Sequence, residues 1–372
     1  MSSPDGAAAT RPVRAHEGVG PAVLRPRPVR VLVLFAVLIA ALITISLLSA
    51  SLGQYRIGFG DVTRSVLHKL FGWAHVGHPI KDHFAEATLW QVRMPRVVMS
   101  LLVGAALACA GALMQGVFGN PLADPGVIGV SSGAAFGAAA AIMGGVTFLG
   151  DFSIAACAFG AGLAATMLVY LLSRSGGRTE VVTLVLTGIA INAVGGAGLA
   201  FCTYFSDQSA RDQIVFWQLG SLNGSRWEYV QIVAPLVLVG LVGGVILARR
   251  LDLLSLGDRA ARHLGVHVEA LRLTAIVLVA LLVAAAVAFC GIIAFVGLVV
   301  PHLIRMITGP GHRMLLPASL LGGAVLLAAA DLIARTAVHY ADLPIGMLTA
   351  LVGGPFFFWL LRRTRLHAGG WA

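Results

Sequence analysis

The sequence predicts an all-α, polytopic membrane protein, and three observations carry that expectation. Of its 372 residues, 58% are hydrophobic and 11% charged, with a mean hydropathy of +0.90, whereas soluble domains carry about 25% charged residues. The apolar residues fall into long uncharged runs of membrane-spanning length. The 45 glycines suit helices that pack in lipid, where small residues let backbones approach closely and no hydrophobic effect drives association.

Residues 1–30 are rich in Ala, Pro and Arg, show no apolar period, and read as a disordered cytoplasmic tail. The run 31–52 follows, close to the ~20 residues needed to cross a bilayer. Its apolar core is longer than that of a cleaved signal peptide, so it reads as a retained first span. Further runs cover 97–114, 126–150, 152–173, 181–206, 229–248, 273–304, 314–330 and 343–361. Hydropathy alone therefore counts nine.

The run 273–304 is long for one helix and short for two, and Gly291, Gly297 and Pro301 are candidate breaks within it. Charge bias favours a bent pair. With ten spans, 17 of the 26 Lys and Arg residues lie on the side of the N-terminus, as the positive-inside rule requires of a chain with both termini cytoplasmic. Nine spans would put Arg362, Arg363 and Arg365 outside.

Other classes are excluded by what the chain lacks. Lysine occurs only at Lys69 and Lys81, neither within the GxxxxGK[ST] loop that holds nucleotide phosphates, so no ATP is hydrolysed here. The arginines are scattered between spans, which argues against nucleic acid. Cys109, Cys157, Cys202 and Cys290 lie singly in apolar stretches and read as packing thiols; no metal site is expected. Apart from Asp151 and Asp331 near span ends, the runs contain no acidic residue. Ion-coupled secondary transport, which needs ionisable groups at mid-membrane, is the alternative this disfavours.

The stretch LWQVRMPRVVMSLLVGAALACAGALMQGVFGNPLADPGVIGVSSGAAFGA, 89–138, closely resembles the FecCD-type permease subunits of type II ABC importers for iron chelates, haem and cobalamin. SLGDRAARHLGVHVEALRL, CGIIAFVGLVVPHLIRM, AADLIAR and LPIGMLTALVGGPFFFWLL continue it. The resemblance implies the type II importer permease fold across 31–372: ten spans per subunit and a second copy of the chain around a central passage. It also implies two cytoplasmic ATP-binding cassette subunits that carry ATP and Mg, and a periplasmic substrate-binding protein. No cofactor is expected on this chain, which would sit in the bacterial inner membrane.

Residue roles follow from the resemblance. Arg93, Arg96 and Arg335 would meet acidic residues of the binding protein; the plainer reading is that each anchors a helix end, with Arg335 paired to Asp331 four residues earlier. Asn120 and Leu122, in the turn NPLADP stiffened by Pro121 and Pro125, would close the cytoplasmic end. The loop 174–183 would hold a second gate element. Within the coupling loop 249–272, Gly257, Asp258, Ala260, Leu264 and Gly265 match the segment that docks in a groove of the ATPase, and Leu256, Ala260 and Leu264 share one helix face.

Gly129, Gly133 and Gly137 recur every four residues and predict close helix packing. His68, His75, His78 and His83 could ligate haem iron, but their irregular spacing favours ordinary solvated residues. NPLADPGVIGVSSGAA and FWQLGSLNGSRW most resemble the haem branch of the family, with siderophore and cobalamin branches close behind.

Overall fold

The computed structural model describes residues 28–72, 76–175, 178–338 and 341–367. The first described element is α1 (Pro28–Ser51), then α2 (Phe59–Phe71) and α3 (His83–Ala87), which runs through a π-helical turn (Thr88–Arg93) into α4 (Met94–Phe118). α5 (Val130–Met143), α6 (Ser153–Leu172) and α7 (Val181–Phe205) follow. α6 and α7 are joined by a two-residue antiparallel ladder of β1 (Arg174–Ser175) and β2 (Arg178–Thr179). Next come α8 (Gln208–Leu219), α9 (Trp227–Leu254), α10 (Asp258–His263), α11 (Val268–Cys290), α12 (Val296–Thr308), α13 (His312–Thr336) and α14 (Ile345–His367).

Among the described residues, seven helices are long and apolar enough to cross a membrane. Three shorter apolar helices, α5, α12 and α14, bring the apolar helices to ten, the number the charge bias implies. The expected tail lies outside the described residues, except that Pro28, Val29 and Arg30 already belong to α1. The run 126–150 shortens to α5, because Gly129 has a left-handed φ of 80° and Pro125–Ile128 forms a separate 3-10 turn.

α4 is the hub, packed against α13, α11, α9 and α12. Its middle, 103–114, is apolar around the whole circumference and rich in Ala and Gly, the signature of a helix enclosed by others. A Cβ on Gly104 would fall on the Gly323 carbonyl of α13, and one on Gly111 would fall on the Gly297 carbonyl of α12. α5, α6 and α7 form a second group joined to the hub through α11. There Gly133 and Gly137 face α6, where a Cβ on Gly133 would come 2.7 Å from the Ala161 carbonyl and one on Gly137 2.5 Å from that of Cys157. The expected glycine stripe thus packs as read at these two positions, while Gly129 serves the turn.

The run 273–304 is a bent pair, broken only at Gly291 to Phe295. Phe295 is the one non-glycine residue with positive φ among those described, 67°. Gly297 and Pro301 are not breaks; both lie inside α12. The irregular backbone is not left bare: the Ser221 amide donates to the Cys290 carbonyl at 2.8 Å, as buried polar backbone in an apolar bundle requires.

Candidate functional site

The expected site residues gather at the two ends of the bundle, which α4 separates by about 37 Å. At the end carrying α2 and α3, Pro95 lacks the amide that would pair with the Gln91 carbonyl. The helix widens into the π turn just before it. That turn aims Arg93 at the last turn of α1. Its Nη1 donates to the carbonyls of Ala50 and Ser51, both at 2.7 Å, and its Nη2 to that of Tyr55. Arg335, near the end of α13, donates to the Ser49 carbonyl and, at 2.6 Å, to the Ser49 hydroxyl.

Two buried arginines therefore satisfy the orphan carbonyls at one helix C-terminus, where the helix dipole also favours positive charge. Arg96 lies beside them. Its Nε contacts Asp331 Oδ1 at 2.9 Å and its Nη1 contacts Asp342 Oδ2 at 2.7 Å. Arg335 Nε lies 3.7 Å from Asp331 Oδ2, the pairing that the anchoring alternative names. Of the three arginines expected to meet the binding protein, Arg93 and Arg335 thus hold their guanidiniums against α1. Arg96, slightly exposed and paired to the partly exposed Asp342, reaches nearest to the surface.

Around them the segment from α1 to α4 folds into a small cap with its own core of Ile57, Val62, Ala85 and Leu89. The Tyr55 hydroxyl donates to Asp82 Oδ2 at 2.7 Å. That hydrogen bond holds the Asp82 carboxyl below the ordinary carboxylate range. Glu86 accepts from the Ser65 hydroxyl and from the Ile80 amide at 3.0 Å. Of the four histidines, His75 lies outside the described residues, and His78 contacts Arg64 and the Pro79 carbonyl. No cluster that could hold a metal ion occurs among the described residues.

At the opposite end, Gly119 has φ 61° and closes α4, and the Asn120 amide donates back to Gln115. The side chain of Asn120 accepts the Leu122 amide at 2.9 Å, and that of Asp124 accepts the Gly126 amide at 2.7 Å. Two successive side-chain turns thus fix the shape of NPLADP, with Asn120 exposed and Leu122 half-buried. Beyond it, Asn192 of α7 donates to the Gly126 carbonyl at 3.1 Å and accepts from the Ser132 hydroxyl at 2.6 Å. The 3-10 turn that follows NPLADP is thus tied to α7, and Asp124 ties it back to NPLADP. A cavity of about 340 Å³ lies between it, the α11–α12 break and Leu107.

The expected coupling loop is shorter than 249–272, because α9 extends to Leu254 and α11 begins at Val268. Between them α10 is a six-residue helix framed by Gly257 (φ 96°) and Gly265 (φ 83°). Ala261 and Val266 are buried beneath it. Leu256 and Leu264 flank the helix and are 62% and 56% exposed, two bare leucines beside the exposed Arg259 and Arg262.

Sequence reading missed the buried polar ties at this end. Arg272 bonds Asp258 and the Thr179 carbonyl, His312 bonds Asp252 through both its amide and Nδ1, and Gln115 bridges Arg305 and the Leu298 carbonyl. The available signal was Glu269 three residues before Arg272 at the edge of an apolar run.

The model of the FecCD transport family matches residues 38–363. The hemin transport system permease protein HmuU of Yersinia pestis is 45% identical over 286 residues, 76% of this chain and 85% of that protein. The cobalamin import system permease protein BtuC of Halobacterium salinarum is 41% identical over 285 residues, 76% of each. A solved inward-facing structure, assigned to a metal-chelate type ABC transporter, superposes with a TM-score of 0.78 at 34% identity, covering 89% of this chain and 99% of that one. The chain therefore belongs to the FecCD transport family and is a permease subunit of a type II ABC importer, a system in which ATP hydrolysis is the work of separate subunits.

Proposed function

We propose that two copies of this chain form the passage of a bacterial inner-membrane importer that carries haem from periplasm to cytoplasm by alternating access. Both termini and α10 face the cytoplasm, and the cap of α2 and α3 faces the periplasm. The observation that carries the energy-coupling part is α10. A short helix framed by left-handed glycines, with two bare leucines and a basic rim, has the shape of an insertion into a partner's groove. Gly257, Asp258, Ala260, Leu264 and Gly265 form that contact with an ATPase subunit carrying ATP and Mg.

Asn120 and Leu122 close the cytoplasmic mouth, the first by fixing the turn and the second by filling it. A periplasmic binding protein docks over the cap, beside which Arg96 and Asp342 form a partly exposed ion pair. Each partner shifts the passage between its two states only through its different affinity for them. The haem assignment rests on the NPLADPGVIGVSSGAA and FWQLGSLNGSRW stretches and on the likeness to a hemin permease. The likeness to a cobalamin permease favours cobalamin as the second reading.

The test is uptake of labelled haem, cobalamin and a ferric siderophore into proteoliposomes holding the whole assembly and its cognate binding protein. Haem uptake that requires ATP supports the assignment. Uptake of cobalamin or siderophore with haem excluded overturns the cargo, and proton-driven uptake without ATP overturns the mechanism.

A further inference from the structure

Thr179, the last residue of β2 and two before α7, is buried, and every polar group it owns is held from α11. Its amide donates to Glu269 Oε1 at 2.8 Å and its hydroxyl to Glu269 Oε2 at 2.9 Å. Its carbonyl accepts from Arg272 Nη1 at 3.2 Å. The other arm of the same guanidinium, Nη2, donates to Asp258 Oδ1 at 2.9 Å, and Asp258 is the first residue of α10. Arg272 is itself buried, on the second turn of a helix that packs against both α10 and β2. A planar fork suits this position because its two arms keep a fixed angle and reach two different elements at once.

We propose that Arg272, whose Nη1 lies 4.0 Å from Glu269 Oε1, is the positioning residue that links α10 to the start of α7, so that movement of α10 is delivered to Thr179 and α7. The inference rests on the reading of α10 as the contact with the ATPase. Displacing Asp258 requires the guanidinium either to follow it, carrying Thr179, or to lose its 2.9 Å partner and keep only Glu269, 4.0 Å away. The second course is costly, so the three groups move together. α7 then transmits the motion further, because Asn192, three turns along it, holds the Gly126 carbonyl, and the Gly126 amide is held by Asp124 of the turn that contains Asn120 and Leu122. One buried cation thus joins the coupling helix, through α7, to the segment that follows Asn120 and Leu122, more than a hundred residues earlier in the sequence.

The experiment compares cargo moved per ATP hydrolysed in proteoliposomes holding the full assembly. The variants are Asp258→Asn, which removes the charge from the α10 arm and weakens it, Glu269→Gln, which loosens the Thr179 arm, and the double variant. Both positions are partly exposed, so the fold tolerates them better than a change at Arg272. Each single variant is expected to lose about tenfold in cargo per ATP while hydrolysis continues, a coupling of ordinary allosteric size. The double variant is expected to lose no more than the worse single one, because both cut the same link.

Unchanged cargo per ATP in Glu269→Gln, or losses that multiply in the double variant, would overturn the proposal. Leu264→Asp separates this from the reading beneath it. If Leu264→Asp abolishes transport while Asp258→Asn and Glu269→Gln are normal, α10 couples but Arg272 does not relay; if Leu264→Asp transports normally, α10 is not the coupling element and the relay falls with it.

Discussion

The carbonyl oxygen of Gly297 stands where a side chain on Gly111 would begin. Pro301 explains why that oxygen is free to do so, since it lies four residues on and lacks the amide that would have bonded it within α12. The freed carbonyl instead lies against the bare α-carbon of α4, a close backbone approach of the kind that holds membrane helices together.

Gly111→Ala is accordingly expected to destabilise the protein by about 3 kcal/mol or more, although alanine favours an isolated helix by about 1 kcal/mol. Gly160→Ala, where an added Cβ meets nothing within 4 Å, is the control and should be neutral or slightly stabilising. Thermal unfolding in detergent reads both. Equal midpoints for the two variants would show that the α4–α12 contact is not as close as described.

Arg93 anchors α1, so Arg93→Ala should lower the thermal midpoint. It strips a charged donor from the Ala50, Ser51 and Tyr55 carbonyls, a loss of about 3 kcal/mol if each orphaned group costs about 1 kcal/mol. Arg93→Lys should recover part of this, since one ammonium cannot span the same fork. An unchanged midpoint combined with weaker association of the binding protein would return Arg93 to the docking surface.

The cap should loosen in acid. The Tyr55 hydrogen bond holds the Asp82 carboxyl below its ordinary value of 3.8, and a depressed folded-state pKa stabilises above the unfolded value. The contribution is therefore complete at neutral pH and is lost as pH falls through the lower folded value. Protection of the Phe84 amide, which donates to Asp82 Oδ1, should hold from pH 7 to about 5 and fade below about 4. In Asp82→Asn that acid-dependent step should be absent, and a step of the same size in the variant would assign it to another group.

Much of this architecture is legible in the residue pattern, and the reasons are physical. Spans are visible because lipid demands long uncharged runs, and the bent pair at 273–304 because arginine prefers one side of the membrane. Short elements were harder to bound. α5 is cut to 14 residues by Gly129, and neighbouring apolar residues in a 3-10 turn have the same hydropathy as those in a helix. Pro301 looked like a break but is tolerated inside α12, because α4 shelters the carbonyl it frees.

Side-chain partners were the least legible. Arg93 and Arg335 stand where arginine is unexpected by charge bias, which marks them as special without saying whether they face outward or inward. The structure turns both toward carbonyls of α1 that lie 42 or more residues away in sequence. Likewise the Thr179, Asp258 and Arg272 link joins three segments that no local pattern connects, whereas a short helix around Ala260 is legible from the spacing of Leu256, Ala260 and Leu264, although the two leucines flank it.

The central claim is that transport energy enters through α10, and the most direct measurement is ATP-dependent uptake by the reconstituted assembly carrying Leu256→Asp and Leu264→Asp. Burying either new carboxylate in an apolar groove is unfavourable, so uptake should fall to background while the purified permease keeps its thermal midpoint. Uptake at the unaltered rate would contradict the account.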